Sequence, residues 1–157
     1  ETVGARNGML EKIWPKELKT PKFIHADISE KILGEAVNHA ARVVCDEEFL
    51  PFAPNSLDAV ISCLSCHWAN DLPGALKQIT ETLKPDSLFL VSILGGQTLF
   101  ELRDVLSAAE LELKGGVSPR VSPFATLQDF AHLMQRGGLA LPVADTDTVV
   151  VLSLIHI

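Results

Sequence analysis

Positive charge is scarce in this chain. Its 157 residues carry 13 Lys and Arg against 20 Asp and Glu, a net charge of −7, and the pI lies near 5.1. A nucleic-acid binder needs a basic face to neutralise phosphates, so nucleic acid is excluded as a partner. Long apolar runs are missing too. None approaches the roughly 20 residues that cross a bilayer, and the tail "VVVLSLIHI" falls well short. Cysteine is sparse, with three residues at no framework spacing, which points to a reducing compartment. The opening "ETVGARNGML" shows neither an initiator Met nor a targeting pattern, which reads as a signal lost or removed. Repeats, low-complexity tracts and a clear internal boundary are all lacking.

With 47% hydrophobic and 21% charged residues, the chain has the composition and length of one globular domain. "PKFIHADI" (21–28) predicts a strand ending in an acid, and Ser29 caps a helix with Ile32, Leu33, Ala36, Val37 and Ala40 on one face. "RVVC" (42–45) predicts a second strand, again followed by acids. "LDAVISCLS" (57–65) predicts a third, apolar on both faces like a central parallel strand. Asp71 and Pro73 open a helix with Ala75, Leu76, Ile79 and Leu83 inward, closed by Pro85. "SLFLVSIL" (87–94) predicts a fourth strand. A longer helix from Thr98 to Leu113 sets Leu99, Leu102, Leu106 and Ala109 inward and stops at Gly115-Gly116. Thr126 and Asp129 have capping-box spacing for a last helix ending at Gly137-Gly138. Two strands around "DTDT" should follow. Strands alternating with helices imply an α/β fold with a mostly parallel sheet.

Ligands of open parallel sheets bind at the carboxyl ends of the strands. Asp27 ends the first expected strand and Asp46 follows the second. A carboxylate in the first place suits a ribose diol; one in the second suits an adenine amine, with Leu50-Pro51-Phe52 as an apolar wall. The plainer alternative makes Asp46, Glu47 and Glu48 a solvated turn, since acids are common in such loops.

"ADIS", "DEEFLPFAPNSLDAVIS", "HWANDLPGALKQITETLKPDSLFLVS" and "GGQTLFELR" together resemble class I S-adenosylmethionine-dependent methyltransferases of type 11. The resemblance is nearest to the family of mitochondrial complex I assembly factors described as arginine hydroxylases, which is related to the malonyl-acyl carrier protein methyltransferases of biotin synthesis. It covers roughly residues 22–150, and "GGxSPxxSPF" at 115–124 is its most specific piece. It implies a Rossmann-like sheet and S-adenosylmethionine as cofactor. Asp27 would hold the ribose and Asp46 the adenine, and Glu47 would supply a backbone N–H. Cys63 to Trp68 would line the methyl or substrate pocket. It also implies a protein substrate in complex I and a peripheral place on the matrix side of the inner mitochondrial membrane. The activity would be methyl transfer or arginine hydroxylation. The alternatives are a non-catalytic assembly or binding protein that retains the fold, or an inactive fragment.

The family's glycine-rich loop, between its first strand and first helix, has no counterpart by this reading. "GARNG" (4–8) follows no apolar strand, and Gly95-Gly96 lies after the wrong one. Residues 1–21 are therefore expected to be non-matching or inserted and 22–150 a partial methyltransferase-like domain. The tail 151–157 reads as atypical. A sheet without its first strand would leave two buried strands unpaired, so the chain is expected not to fold stably alone.

Several patterns suggest other chemistry. "CLSCH" (63–67) spells C-x-x-C-H, a haem-attachment or redox spacing, and Cys45 could join it around zinc. Its place at a buried strand end favours packing cysteines. His25-x-Asp27 with His132 matches an iron oxygenase triad, but such oxygenases are antiparallel β folds. His67 is a weak candidate for a general base. No metal is expected.

Overall fold

In the computed structural model, which describes residues 2–3, 8–17, 19, 21–35 and 40–151, strands and helices alternate. The elements are β1 (Thr2–Val3), α1 (Met9–Ile13), β2 (Ile24–Asp27), α2 (Glu30–Gly34), β3 (Ala41–Val44) and β4 (Leu57–Cys63). After a 3-10 turn at Cys66–Trp68 come α3 (Leu72–Thr82), β5 (Leu83–Ser92), α4 (Phe100–Lys114) and α5 (Leu127–Arg136). The strands form one sheet in the order β3-β2-β1-β4-β5. All four pairings are parallel.

The centre of the sheet is a correction to the sequence reading, which expected no strand there. Thr2 and Val3 pair with His25 and Ala26 on one side and with Ile61 and Ser62 on the other. Backbone hydrogen bonds, not side-chain patterning, define this strand, and two residues are too few to show any period.

The core lies where α3 and α5 cover β4 and β5. Asp71 accepts the Gly74 N–H at 3.0 Å and caps α3, while Pro73 occupies its first turn, where a missing N–H costs nothing. Ala75, Leu76, Ile79 and Leu83 are buried as expected. Leu76 and Ile79 are fully buried, each stabilising the fold by about 1.5–3 kcal/mol. Leu76 meets Phe130 and Met134 of α5. Thr126 accepts the Asp129 N–H at 3.2 Å and caps that helix as anticipated. Gly138, at φ 97°, follows its end.

Three further expectations are corrected. β5 starts at Leu83, so Pro85 lies inside the strand; the pairing shifts register between Leu57↔Leu83 and Ala59↔Leu88. A bulge of this kind accommodates a residue that cannot donate. Leu99, Leu102, Leu106 and Ala109, expected inward, are exposed, and Glu110 is the buried residue of α4. Periodicity marks an amphipathic helix but does not supply the surface that would cover it. Among the described residues no strand forms around "DTDT"; Val149, Val150 and Val151 are exposed. The helix after Ser29 is seen as far as Gly34, and residues 36–39 of its expected face lie outside the described residues.

Candidate cofactor-binding site

The strand order creates the site. From β1 the chain builds β2 and β3 on one side, then crosses to place β4 and β5 on the other. Such a reversal opens a crevice outside the carboxyl ends of the central strands. In sequence "GARNG" lies between β1 and α1, so it does follow a strand, contrary to expectation. Residues 4–7 lie outside the described residues. Gly8 is buried and left-handed at φ 71°, ψ 29° as the N-cap of α1, a conformation that costs glycine nothing.

Asp27 ends β2 and Asp46 lies just past the neighbouring β3; beside Asp46, Cys45 donates its N–H to the Asp27 carbonyl at 3.2 Å. Asp27 Oδ1 accepts the Ser29 N–H at 2.9 Å. Asp46 Oδ1 accepts the Glu48 N–H at 2.9 Å, and its carbonyl accepts the Phe49 N–H at 3.0 Å. Each acid thus fixes its own turn with one oxygen.

Glu47, to which the resemblance gave only a backbone role, carries the most perturbed carboxyl of the set. Burial, then the charges of Asp27, Asp46 and Glu48, push its pKa up to about 7. The three acids expected to act together therefore divide. Asp46 shapes a turn, Glu47 faces the other carboxylates, and Glu48 hydrogen-bonds to the backbone of Asn70 and Asp71.

In the expected apolar wall, Pro51 is exposed and Leu50 and Phe52 are partly buried. Leu50 and Phe52 pack against the core cluster of Leu57, Val60 and Ile79. The exposed aromatic beside the acids is Phe49, at 75% exposure. Its place directly after Glu48 was the available signal, masked by the apolar residues that follow.

Across β1, Cys63 ends β4 and is exposed, whereas Cys66 is buried. Ser62 Oγ lies 3.0 Å from Cys66 Sγ, and burial pushes that thiol up to about 11. His67 and Trp68 follow in the 3-10 turn, their ring centroids 5.0 Å apart. Phe124, from "GGVSPRVSPF", sets its ring edgewise to His67 at 5.7 Å. Sequence reasoning had marked that segment as specific without giving it a place. His25 is buried, with Nε2 3.1 Å from Glu11 Oε2. Among the described residues no three His, Cys, Asp or Glu side chains are grouped to hold a metal ion.

A parallel sheet with a strand-order reversal at its centre defines an open α/β fold, and comparison with known proteins makes that specific. The chain belongs to the methyltransferase domain family, whose model matches residues 2–91. It is 50% identical over 150 residues to arginine-hydroxylase NDUFAF5, mitochondrial, of Danio rerio, covering 94% of this chain and 46% of that protein. The protein of that name from Homo sapiens is 45% identical over 150 residues, covering 94% and 43%. The chain thus spans less than half the length of these relatives. Among solved structures, the methyltransferase in complex with the Trm112 activator of Haloferax volcanii superposes with a TM-score of 0.67 at 19% identity, covering 94% of this chain and 62% of that one. That likeness shows the fold.

Proposed function

We propose that this chain is the cofactor-binding part of a protein that modifies an arginine of a mitochondrial complex I subunit, with S-adenosylmethionine at the carboxyl edge of the sheet. The observation that carries the reading is the 50% identity, over 94% of the chain, to a protein named for arginine hydroxylation. The donor set supports the cofactor. Asp27 suits the ribose diol and Asp46 the adenine amine, with Phe49 beside it and the Glu47 N–H available to the ring. Cys63 and Trp68 would line the other half of the crevice, with His67 the candidate proton acceptor. Bound S-adenosylmethionine would supply an activated methyl group. For such a transfer the protein contributes chiefly orientation and needs no nucleophile of its own.

The relatives are mitochondrial by name, which supports the matrix side of the inner membrane as location. Among the described residues no helix is long and apolar enough to cross a membrane, in keeping with peripheral attachment.

The test has two parts. In the full-length protein carrying this sequence, Asp46→Ala should weaken S-adenosylmethionine binding by about 1.5–3 kcal/mol, and Asp27→Ala by at least as much, measured by calorimetry. Unchanged affinity in both variants would sink the site assignment. Mass spectrometry of complex I subunits from cells lacking the protein then reads the reaction. Loss of an oxygen on arginine identifies hydroxylation, and loss of a methyl identifies methyl transfer. Loss of neither, with complex I still failing to assemble, leaves the non-catalytic assembly role.

A further inference from the structure

The segment 115–126 is fastened to the fold in an unusual way. α4 leaves its leucines exposed and buries a carboxylate, Glu110. A buried charge is costly unless it is paired and hydrogen-bonded, and this one is. Its oxygens accept the Ser118 N–H at 2.9 Å and the Ser118 hydroxyl at 2.7 Å. They also accept Arg120 Nε at 3.2 Å, Arg120 Nη2, and Lys114 Nζ at 3.2 Å. These donors hold the Glu110 carboxyl far below the usual carboxylate range, the Arg120 guanidinium most of all. α4 thereby grips the loop that follows it.

The other end of that loop lands on the candidate site. A Cβ at Gly96, just past β5, would lie 3.4 Å from the Phe124 carbonyl and 3.8 Å from that of Ala125. Phe124 meets His67, and His67 meets Trp68. Three rings from two distant segments therefore converge at the ends of β4 and β5, across β1 from Asp27 and Asp46. Trp68 remains 66% exposed there, although an indole is worth burying. The acid turn adjoins them, because Glu48 binds the N–H groups of Asn70 and Asp71 just after Trp68.

Aromatic faces attract cations within about 6 Å, and a planar guanidinium also stacks on them in a way an ammonium does not. Nearby carboxylates add attraction for positive charge. Resting on the arginine reading above, we propose that His67, Trp68 and Phe124 form the wall that receives the acceptor guanidinium, and that Glu110 is the positioning residue that holds Phe124 in it.

The test titrates the full-length protein with three short Gly-Ser peptides that differ in one residue: arginine, citrulline or lysine. S-adenosylhomocysteine is titrated separately. The arginine peptide should bind about five-fold or more tightly than the other two. Trp68→Ala and Phe124→Ala should each remove most of that preference, Trp68→Phe should retain part of it, and S-adenosylhomocysteine affinity should stay within about two-fold in Phe124→Ala. Glu110→Ala should weaken the arginine peptide as much as Phe124→Ala does and speed hydrogen exchange over 117–124. The double variant should be no weaker than Phe124→Ala alone, a non-additivity that a merely structural role would not give. Equal binding of the arginine and citrulline peptides, no binding of either, or a preference that survives both ring deletions would overturn the proposal. The Trp68 and Phe124 variants decide it even where Glu110→Ala fails to fold. Failure to bind S-adenosylhomocysteine strikes the cofactor reading alone, so the two failures are told apart.

Discussion

Glu48 Oε1 accepts the backbone N–H of Asp71 at 2.9 Å and so ties the loop after β3 to the N-cap of α3. The same oxygen accepts the Asn70 N–H. Gln78, one face of α3 further on, accepts the Leu50 N–H at 3.1 Å and donates to the Glu48 carbonyl. The acid turn is therefore stapled to the helix that carries the core. Glu48→Ala should lower stability by about 1–2 kcal/mol, since charge-assisted bonds are lost from a partly solvated place. Glu48→Gln, whose amide oxygen still accepts, should lose less. Urea unfolding midpoints measure both, and equal loss in the two variants would show that acceptance is not what matters.

What could be read in advance follows from how each element is encoded. β4 carries its own apolar run, and α3 and α5 carry cap residues whose side chains bond where their chemistry requires. β1 carries almost nothing of its own; its neighbours place it. Asp46, Glu47 and Glu48 are alike in sequence, yet Asp46 shapes a turn, the half-buried Glu47 feels the charges of its acidic neighbours, and Glu48 binds a helix start. Adjacent residues of one type diverge in this way only once a tertiary surround exists. Phe49 and Phe52 show the same limit: equal in type, one is exposed and the other packs on the core.

Glu47 should make stability depend on pH. Burial first, then its acidic neighbours, raise its folded pKa to about 7 from 4.5. The native state therefore holds a proton that the unfolded chain has released, and stability falls as pH rises from about 4.5 to about 7. Above that range the loss is complete. Glu47→Gln removes the titration, so it should be more stable than the parent at pH 8 by about 1–2 kcal/mol, after allowing for solvent screening of a half-buried group. Near pH 4.5 the two should match. Thermal or urea unfolding at both pH values decides it, and an equal gain at both would exclude titration as the cause.

The two thiols of "CLSC" should react at very different rates. Cys63 is exposed and Cys66 buried, and the Cys66 thiol is pushed up to about 11. The thiolate is the nucleophile, so Cys66 has neither access nor charge at pH 8. Iodoacetamide followed by peptide mass analysis should modify Cys63 promptly and Cys66 only after denaturant is added. Matching rates in the native protein would mean that the strand end opens readily or is not packed as described.

α1 is held to the sheet through a polar contact of His25, a residue whose spacing to Asp27 suggested an iron ligand. His25 is fully buried, its Nε2 3.1 Å from Glu11 Oε2 and its ring stacked on Phe23 at 5.9 Å. Trp14 packs edgewise on the same Phe23 at 5.5 Å. Strand β2 therefore reaches α1 through this hydrogen bond and through aromatic packing, among the described residues. Removing the acceptor while the imidazole stays buried exposes that ring to the desolvation cost of a lost partner, about 1–3 kcal/mol. Glu11→Ala should show that loss in urea unfolding. It should also speed hydrogen exchange over 9–13 well before the rest of the chain exchanges, because local opening needs less than global unfolding. Glu11→Gln keeps an acceptor and should recover most of the stability. If all three proteins unfold at one midpoint with α1 equally protected, the pair is incidental, and the helix is held by its aromatic neighbours alone.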